Sequence, residues 1–308
     1  MRTFLLKTMI AAVVVVALHL VAALHADGWT DAFYLRFTGL PQRSLIVGTS
    51  RAAQGLKPDV LEDLLGPSAF TGHPFNFAFT VDHSPYGEAY LHAIKAKLDP
   101  DSRNGSFIVA VDPWSLSQEK GSSRMRETDF PLAGQHTFTG TPNFEYLLRN
   151  HPAGWGSLIG GPLYAMDTTR FLHSDGWLEI RIPMDSTTVR KRLQRKVKDY
   201  IDKARNENTP STERLQFLDR TLNLLQEHGR VVMVRIPICD ELADLEEVYW
   251  PGFSAQMEVV ARSHGLPYLD FMPERGRFTY TDGNHLDSVS ARAFSMLVAS
   301  RLRAWPLP

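Results

Sequence analysis

Ser44-Leu45-Ile46-Val47-Gly48-Thr49-Ser50-Arg51 is the stretch whose reading decides the fold. A short apolar run stops at a glycine and hands over to a serine. That is the pattern of a strand covered on both faces, followed by a sharp turn. Comparable runs stand at residues 75–79, 106–111, 230–236 and 267–271, rich in Val, Ile and Phe. Helical segments are predicted between them, at Pro58–Leu65, 85–98, 187–205, Thr212–His228 and 252–264, with a last one at 288–302. In Thr212–His228, Leu215, Leu218, Leu222 and Leu225 recur at helical spacing, and Gly229 follows as a stop. Alternating strands and helices predict an α/β fold: a three-layer α/β/α sandwich on a mostly parallel five-stranded sheet. Between about 114 and 183 the alternation fails, and Gly, Pro, Thr and aromatic residues dominate. That stretch is too long for a loop and reads as an insertion with its own local structure, a lid or substrate platform.

With 308 residues, the chain is long enough for one large core. Hydrophobic residues make up 44% and charged residues 22%, a globular balance. A net charge of -1 provides no field for collecting phosphates, so a nucleic-acid partner is not expected. The single cysteine, Cys239, rules out an internal disulfide framework and any multi-cysteine metal site. Arg2 and Lys7 precede an apolar run over residues 8–24, broken only by Thr8 and His19. At seventeen residues the run has the shortest length that spans a bilayer. The charges before it place the N-terminus inside and the rest of the chain outside. Val21-Ala22-Ala23 is also a passable cleavage site, so secretion after signal removal is the alternative. The organisation expected is an anchor or signal peptide over 1–26, a connector over 27–42, and a catalytic domain over 43–308.

Thr281-Asp282-Gly283-Asn284-His285 is the second informative stretch. A serine nucleophile needs a base, and the base needs an orienting group. Asp282 and His285 are spaced so that a loop can bring the carboxylate to Nδ1 and leave Nε2 facing a serine on a neighbouring strand end. Each piece alone has an ordinary alternative: Ser50 as a helix cap, Asp282-Gly283 as a turn, His285 as a cap of the last helix. Together on an alternating fold they read as a catalytic trio.

The combination resembles the SGNH (GDSL-type) hydrolase superfamily, whose first block carries the nucleophilic serine and whose last block is Asp-x-x-His. Gly48-Thr49-Ser50-Arg51 is closer to membrane-anchored envelope members than to the Gly-Asp-Ser-Leu of secreted lipases. Those members are the teichoic-acid D-alanyl transfer protein and the alginate-type O-acetylation proteins. The resemblance covers residues 43–303 in element order. It implies an SGNH/flavodoxin-like fold, with Ser50 as nucleophile, His285 as base and Asp282 as orienter. The middle blocks depart from the family pattern. Ala78 stands where the second block has a glycine, after Asn76-Phe77, and no Gly-x-Asn-Asp follows the strand at 106–111, which runs into Asp112-Pro113-Trp114. The oxyanion candidates are therefore the backbone N–H groups of Ser50 and Ala78, with Asn76 or Arg51 as side-chain donor.

Substrate-binding candidates are Arg235 at a strand end, Asn284, and His173, Asp175 and Trp177 in the insertion. Arg235 reads equally as an anion ligand or as the partner of a structural carboxylate, and His173-Ser174-Asp175-Gly176-Trp177 as a sugar-binding wall or a tight turn. Neither a metal nor a cofactor is called for. From Thr187 to Asn206, eight Lys or Arg against two Asp leave a net +6. Val189, Leu193, Val197 and Tyr200 give that segment an apolar stripe. Its basic face suits anionic lipid or a polyanionic polymer, or is simply a solvated face. The function expected is an exported serine acyl-transferase or esterase acting on a cell-envelope polysaccharide or glycolipid. By resemblance it would be anchored in a bacterial inner membrane, with its domain on the periplasmic or extracellular side. A membrane-bound O-acyltransferase would be its partner. The alternative is an anchored binding or assembly protein on the same scaffold.

Overall fold

The computed structural model describes residues 1–66, 69–121, 127, 132–151, 153–163 and 168–303. The chain opens with α1 (Arg2–Leu24), whose 23 residues, including an 18-residue window of mean hydropathy 2.4, suit a membrane anchor or a signal sequence. A 3₁₀ turn at Tyr34–Phe37 leads to β1 (Ser44–Val47), α2 (Ser50–Gly55) and α3 (Pro58–Leu65). Next come β2 (Pro74–Asn76), α4 (Glu88–Lys97) and β3 (Gly105–Ala110), then β4 (Ser117–Glu119) and α5 (Phe144–Asn150). β5 (Arg170–Leu172), β6 (Leu178–Ile180), α6 (Ser186–Asp202) and β7 (Asn208–Pro210) precede α7 (Thr212–His228). The chain finishes with β8 (Gly229–Arg235), α8 (Asp240–Tyr249), α9 (Phe253–Ser263), β9 (Tyr268–Asp270) and α10 (Ser288–Arg303).

β2, β1, β3, β8 and β9 lie side by side in that order, and every pairing is parallel. In register, Leu45 lies beside Phe107 and Phe107 beside Val231. Successive residues alternate between two apolar clusters, as the period of a strand requires. Leu45, Val47, Phe107, Val109, Val231 and Met233 meet α4, α7 and α9 through Tyr90, Leu218, Leu222 and Phe253. Ile46, Ile108, Ala110, Val232 and Val234 meet α2, α3 and α10 through Ala52, Leu61, Phe294 and Val298. Strands sealed on both faces explain why their sequences are apolar runs and not alternating ones. The chain leaves β1 toward β2 on one side and returns to β3 on the other. The carboxyl ends of β1 and β3 therefore border the crevice where such sheets bind ligands.

The connector over 27–42 does more than link. Tyr34 and Phe37 enter the core, and the fully buried Arg36 donates to the carbonyls of Ala32 (2.7 Å), Asn76 (3.1 Å) and Gly176 (2.7 Å). Burial without a carboxylate partner pulls that guanidinium down to about 10. Other differences from the sequence reading have local causes. The strand predicted over 75–79 closes as a strand at Asn76, though Phe77 N and Phe79 N still bond Ile46 O and Gly48 O. The helix predicted over 187–205 ends at Asp202, and a wide turn at Lys203–Glu207 leads into β7, which pairs antiparallel with β4. α2 and α8 escape a periodicity reading because one is six residues long and half of the other's residues are acidic. Of the 114–183 stretch, residues 122–126, 128–131, 152 and 164–167 lie outside the described residues. The remainder includes α5 and the antiparallel β5–β6 pair.

Gly48 ends β1 with φ of 147°, in a region that side chains avoid, and a Cβ there would stand 2.8 Å from Ala110 Cβ. Gly48→Ala is therefore expected to lower stability by about 1–3 kcal/mol, measured as an earlier midpoint in chemical denaturation.

Candidate active site

Ser50 is the first residue of α2, immediately beyond the Gly48 turn. Its predecessor Thr49 occupies the cap position but turns its hydroxyl to Asp112 Oδ2 at 2.8 Å, just past the end of β3. That bond joins the two strand exits, and Asp112 is itself held by accepting Ser115 N at 2.9 Å. The Ser50 hydroxyl does not cap α2 and lies 2.8 Å from Nε2 of His285. Nδ1 of His285 lies 3.1 and 3.0 Å from the two oxygens of Asp282. The tautomer follows from these partners: a carboxylate only accepts, so Nδ1 carries the proton and Nε2 accepts from the serine. His285 leaves the capping of α10 to Asp287, whose Oδ1 accepts Ser290 N at 2.7 Å.

The loop carrying Asp282 and His285 is fixed at several points. Thr281 N donates to His285 O (2.8 Å), and Asn284 N (2.9 Å) and His285 N (3.0 Å) donate to Asp282 Oδ1. Cys239 N, beyond the end of β8, donates to Gly283 O at 2.8 Å. Gly283 has φ of 84°, and a Cβ there would stand 2.5 Å from Leu193 Cδ1 and 2.8 Å from Cys239 Sγ. Burial pushes the Cys239 thiol up to about 12, so it is a packing group and not a nucleophile. Burial would raise the Asp282 carboxyl, but His285, Lys196 and the Asn284 N–H outweigh it and hold it well below the usual carboxylate range. Lys196, on α6, places Nζ 3.8 Å from Asp282 Oδ2. The basic helix thus borders the trio directly.

Beneath the trio lies a buried charge network that the sequence reading missed. Glu246 on α8 is fully buried and accepts from Arg51 NH2, Arg235 NH2 (3.1 Å) and Trp114 Nε1 (2.9 Å). Burial alone would lower Arg51, but Glu246 with Tyr200 and Asp112 raises it well above its ordinary value. Its Nε donates to Asn284 Oδ1 at 2.9 Å, and Tyr200 OH donates to the same oxygen at 2.6 Å. Glu246 sits among acidic residues that look solvent-facing in sequence. Its only signal is its spacing from Leu242, which puts the pair on the buried face of α8.

The other candidates separate clearly. Ser50, Arg51, Asn284, Asp282 and His285 come together. Arg235 takes the structural alternative: its guanidinium is buried against Glu246, with Asp270 3.9 Å away, and offers no free charge to a substrate. Asn76 is a correction as an oxyanion donor, because its Nδ2 donates to Ala52 O and Leu56 O, both at 2.9 Å. Ala78 is a second correction, because its N–H donates to Asn76 Oδ1 at 3.1 Å. His173, Asp175 and Trp177 form a tight turn on the edge of β2. Trp177 is buried and donates from Nε1 to Gln54 O (2.8 Å), Asp175 O accepts Asn76 N (2.8 Å), and His173 pairs with Glu179 (3.0 Å). Among the described residues, no three His, Cys, Asp or Glu side chains gather as a metal site.

Comparison with protein-family models gives no match, and no curated protein matches the chain. Removing Glu246 would leave the buried Arg51 without its ion-pair partner and Arg235 with Asp270 alone, 3.9 Å away. Glu246→Ala is expected to cost about 3–5 kcal/mol of stability in urea unfolding, whereas an exposed pair such as Arg262 with Glu258 should yield under about 1 kcal/mol.

Proposed function

We propose that this chain is a membrane-anchored, exported serine acyl-transferase or esterase of the SGNH type, built as a three-layer α/β/α sandwich. The observation that carries the reading is the unbroken chain of contacts from Asp282 through His285 to Ser50, at 3.0 and 2.8 Å. In the first step Ser50 Oγ bonds to the carbonyl carbon of an acyl ester, its proton passes to Nε2, and the carbonyl π pair moves onto oxygen. Collapse of that intermediate breaks the bond to the leaving alcohol, which takes the proton from Nε2. A sugar hydroxyl or water then attacks the acyl-serine by the same steps in reverse. Asp282 keeps the proton on Nδ1 and stabilises the imidazolium. Ser50 N–H, at the first position of α2, is a backbone oxyanion donor, since helix-start N–H groups have no acceptor within the helix.

The envelope assignment rests on α1 and on the resemblance of Gly48-Thr49-Ser50-Arg51 to the anchored family members. The acceptor proposed is a polysaccharide or glycolipid, and a membrane-bound O-acyltransferase is the proposed supplier of the acyl group. The positive charge of α6 beside the trio favours an anionic acceptor. The commitment of Asn76 and Ala78 to scaffold bonds favours a second reading, an anchored assembly protein without turnover.

A fluorophosphonate probe separates the two readings. Wild type is expected to label and Ser50→Ala to stay blank, while Asp282→Asn should lose about 10⁴-fold in ester turnover. Absence of labelling in wild type, or equal labelling of Ser50→Ala, would sink the catalytic reading.

A further inference from the structure

We propose that Asn284 is the side-chain oxyanion donor of this site, its amide N–H resting on Nε2 of His285 until the serine proton arrives there. The inference depends on the serine-transfer reading above and adds to it the group that the missing third block would have supplied.

The orientation of the carboxamide is fixed by its partners. Oδ1 accepts from Arg51 Nε at 2.9 Å and from Tyr200 OH at 2.6 Å. A guanidinium can only donate, so oxygen must face it and the amide cannot be turned over. Burial raises the Tyr200 phenol, which therefore stays a neutral donor. The amide NH2 is left facing the trio, with Nδ2 3.1 Å from Nε2 of His285. Asn284 is only 5% exposed, so solvent does not compete freely for that N–H. A cationic donor on Oδ1 also polarises the amide and strengthens its N–H as a donor.

While His285 is neutral, Nε2 accepts from both Ser50 and Asn284, at 2.8 and 3.1 Å. Once Oγ bonds to the carbonyl carbon and its proton moves to Nε2, that nitrogen carries a hydrogen and accepts nothing. Asn284 N–H loses its partner in the same step that puts negative charge on the neighbouring carbonyl oxygen. A buried unpaired donor is costly, so the oxyanion becomes its acceptor. Asn76 is held by Ala52 O and Leu56 O, and Arg51 Nε and NH2 by Asn284, Tyr200 and Glu246, which leaves Arg51 NH1 as the rival donor without a partner.

Turnover of p-nitrophenyl acetate by the detergent-solubilised full chain tests this. Asn284→Asp keeps the acceptor for Arg51 and Tyr200 but replaces the N–H with a charged oxygen near Nε2, and a thermal melt establishes that the variant folds. Its kcat should fall roughly 10²–10³-fold with KM changed by less than about twofold. Asn284→Ala should lose kcat by a comparable factor. Wild-type-like kcat in a folded Asn284→Asp or a folded Asn284→Ala overturns the donor role. If Asn284→Ala does not fold, Asn284→Asp decides alone. Wild type without turnover or fluorophosphonate label overturns the serine reading itself, which distinguishes the two failures.

Discussion

Glu246 is a carboxylate with no exposure to water, and the arrangement of the site depends on it. It binds Arg51, the residue after Ser50, and Arg235, at the end of β8. Desolvating three charged groups is tolerable only because each finds an opposite partner and further hydrogen bonds. Trp114 Nε1 supplies one of those bonds, and Arg51 extends the network to Asn284 and Tyr200. One buried carboxylate thereby sets the relative positions of α2, α6, α8 and the loop that presents His285. Arg51 NH1 and Arg235 Nε are left without partners, yet every charged group in the network has an opposite charge beside it, which holds these elements in place.

The sheet was legible because its strands are apolar runs and because the helices between them carry ordinary periodicity. Ser44–Val47 and Pro58–Leu65 end where the residues say they should, at Gly48 and Gly66. Ser50, Asp282 and His285 were readable for a different reason: their chemistry requires local turns, and the glycines at 48 and 283 mark those turns. The support beneath the trio was hidden. Glu246 looks like a surface residue of an acidic helix, and Tyr200 like one more member of an apolar stripe. Nothing local tells that both meet Arg51, because those contacts join residues separated by 149 and 195 positions in the chain. Arg235, Asn76 and Ala78 failed as site residues for the same reason, since their partners lie on other elements.

The site also sorts its cations by role. Arg51 and Arg235 are buried and neutralised, whereas the cations of α6 remain at the surface, with Lys196 closest to Asp282. The first group builds the scaffold, and the second leaves a positive field beside Ser50 and His285. On the proposed reading, the buried network positions the reaction and the exposed helix selects what approaches it.

The central claim is that Ser50 forms a covalent acyl bond. Mixing the protein with an activated acetyl ester, quenching in acid within the first turnover and mapping the peptides by mass spectrometry tests it directly. The account predicts one acetyl group on the peptide carrying Ser50, with release of the leaving group in a burst. Acetyl found only on lysines, or on no residue while turnover proceeds, would contradict it.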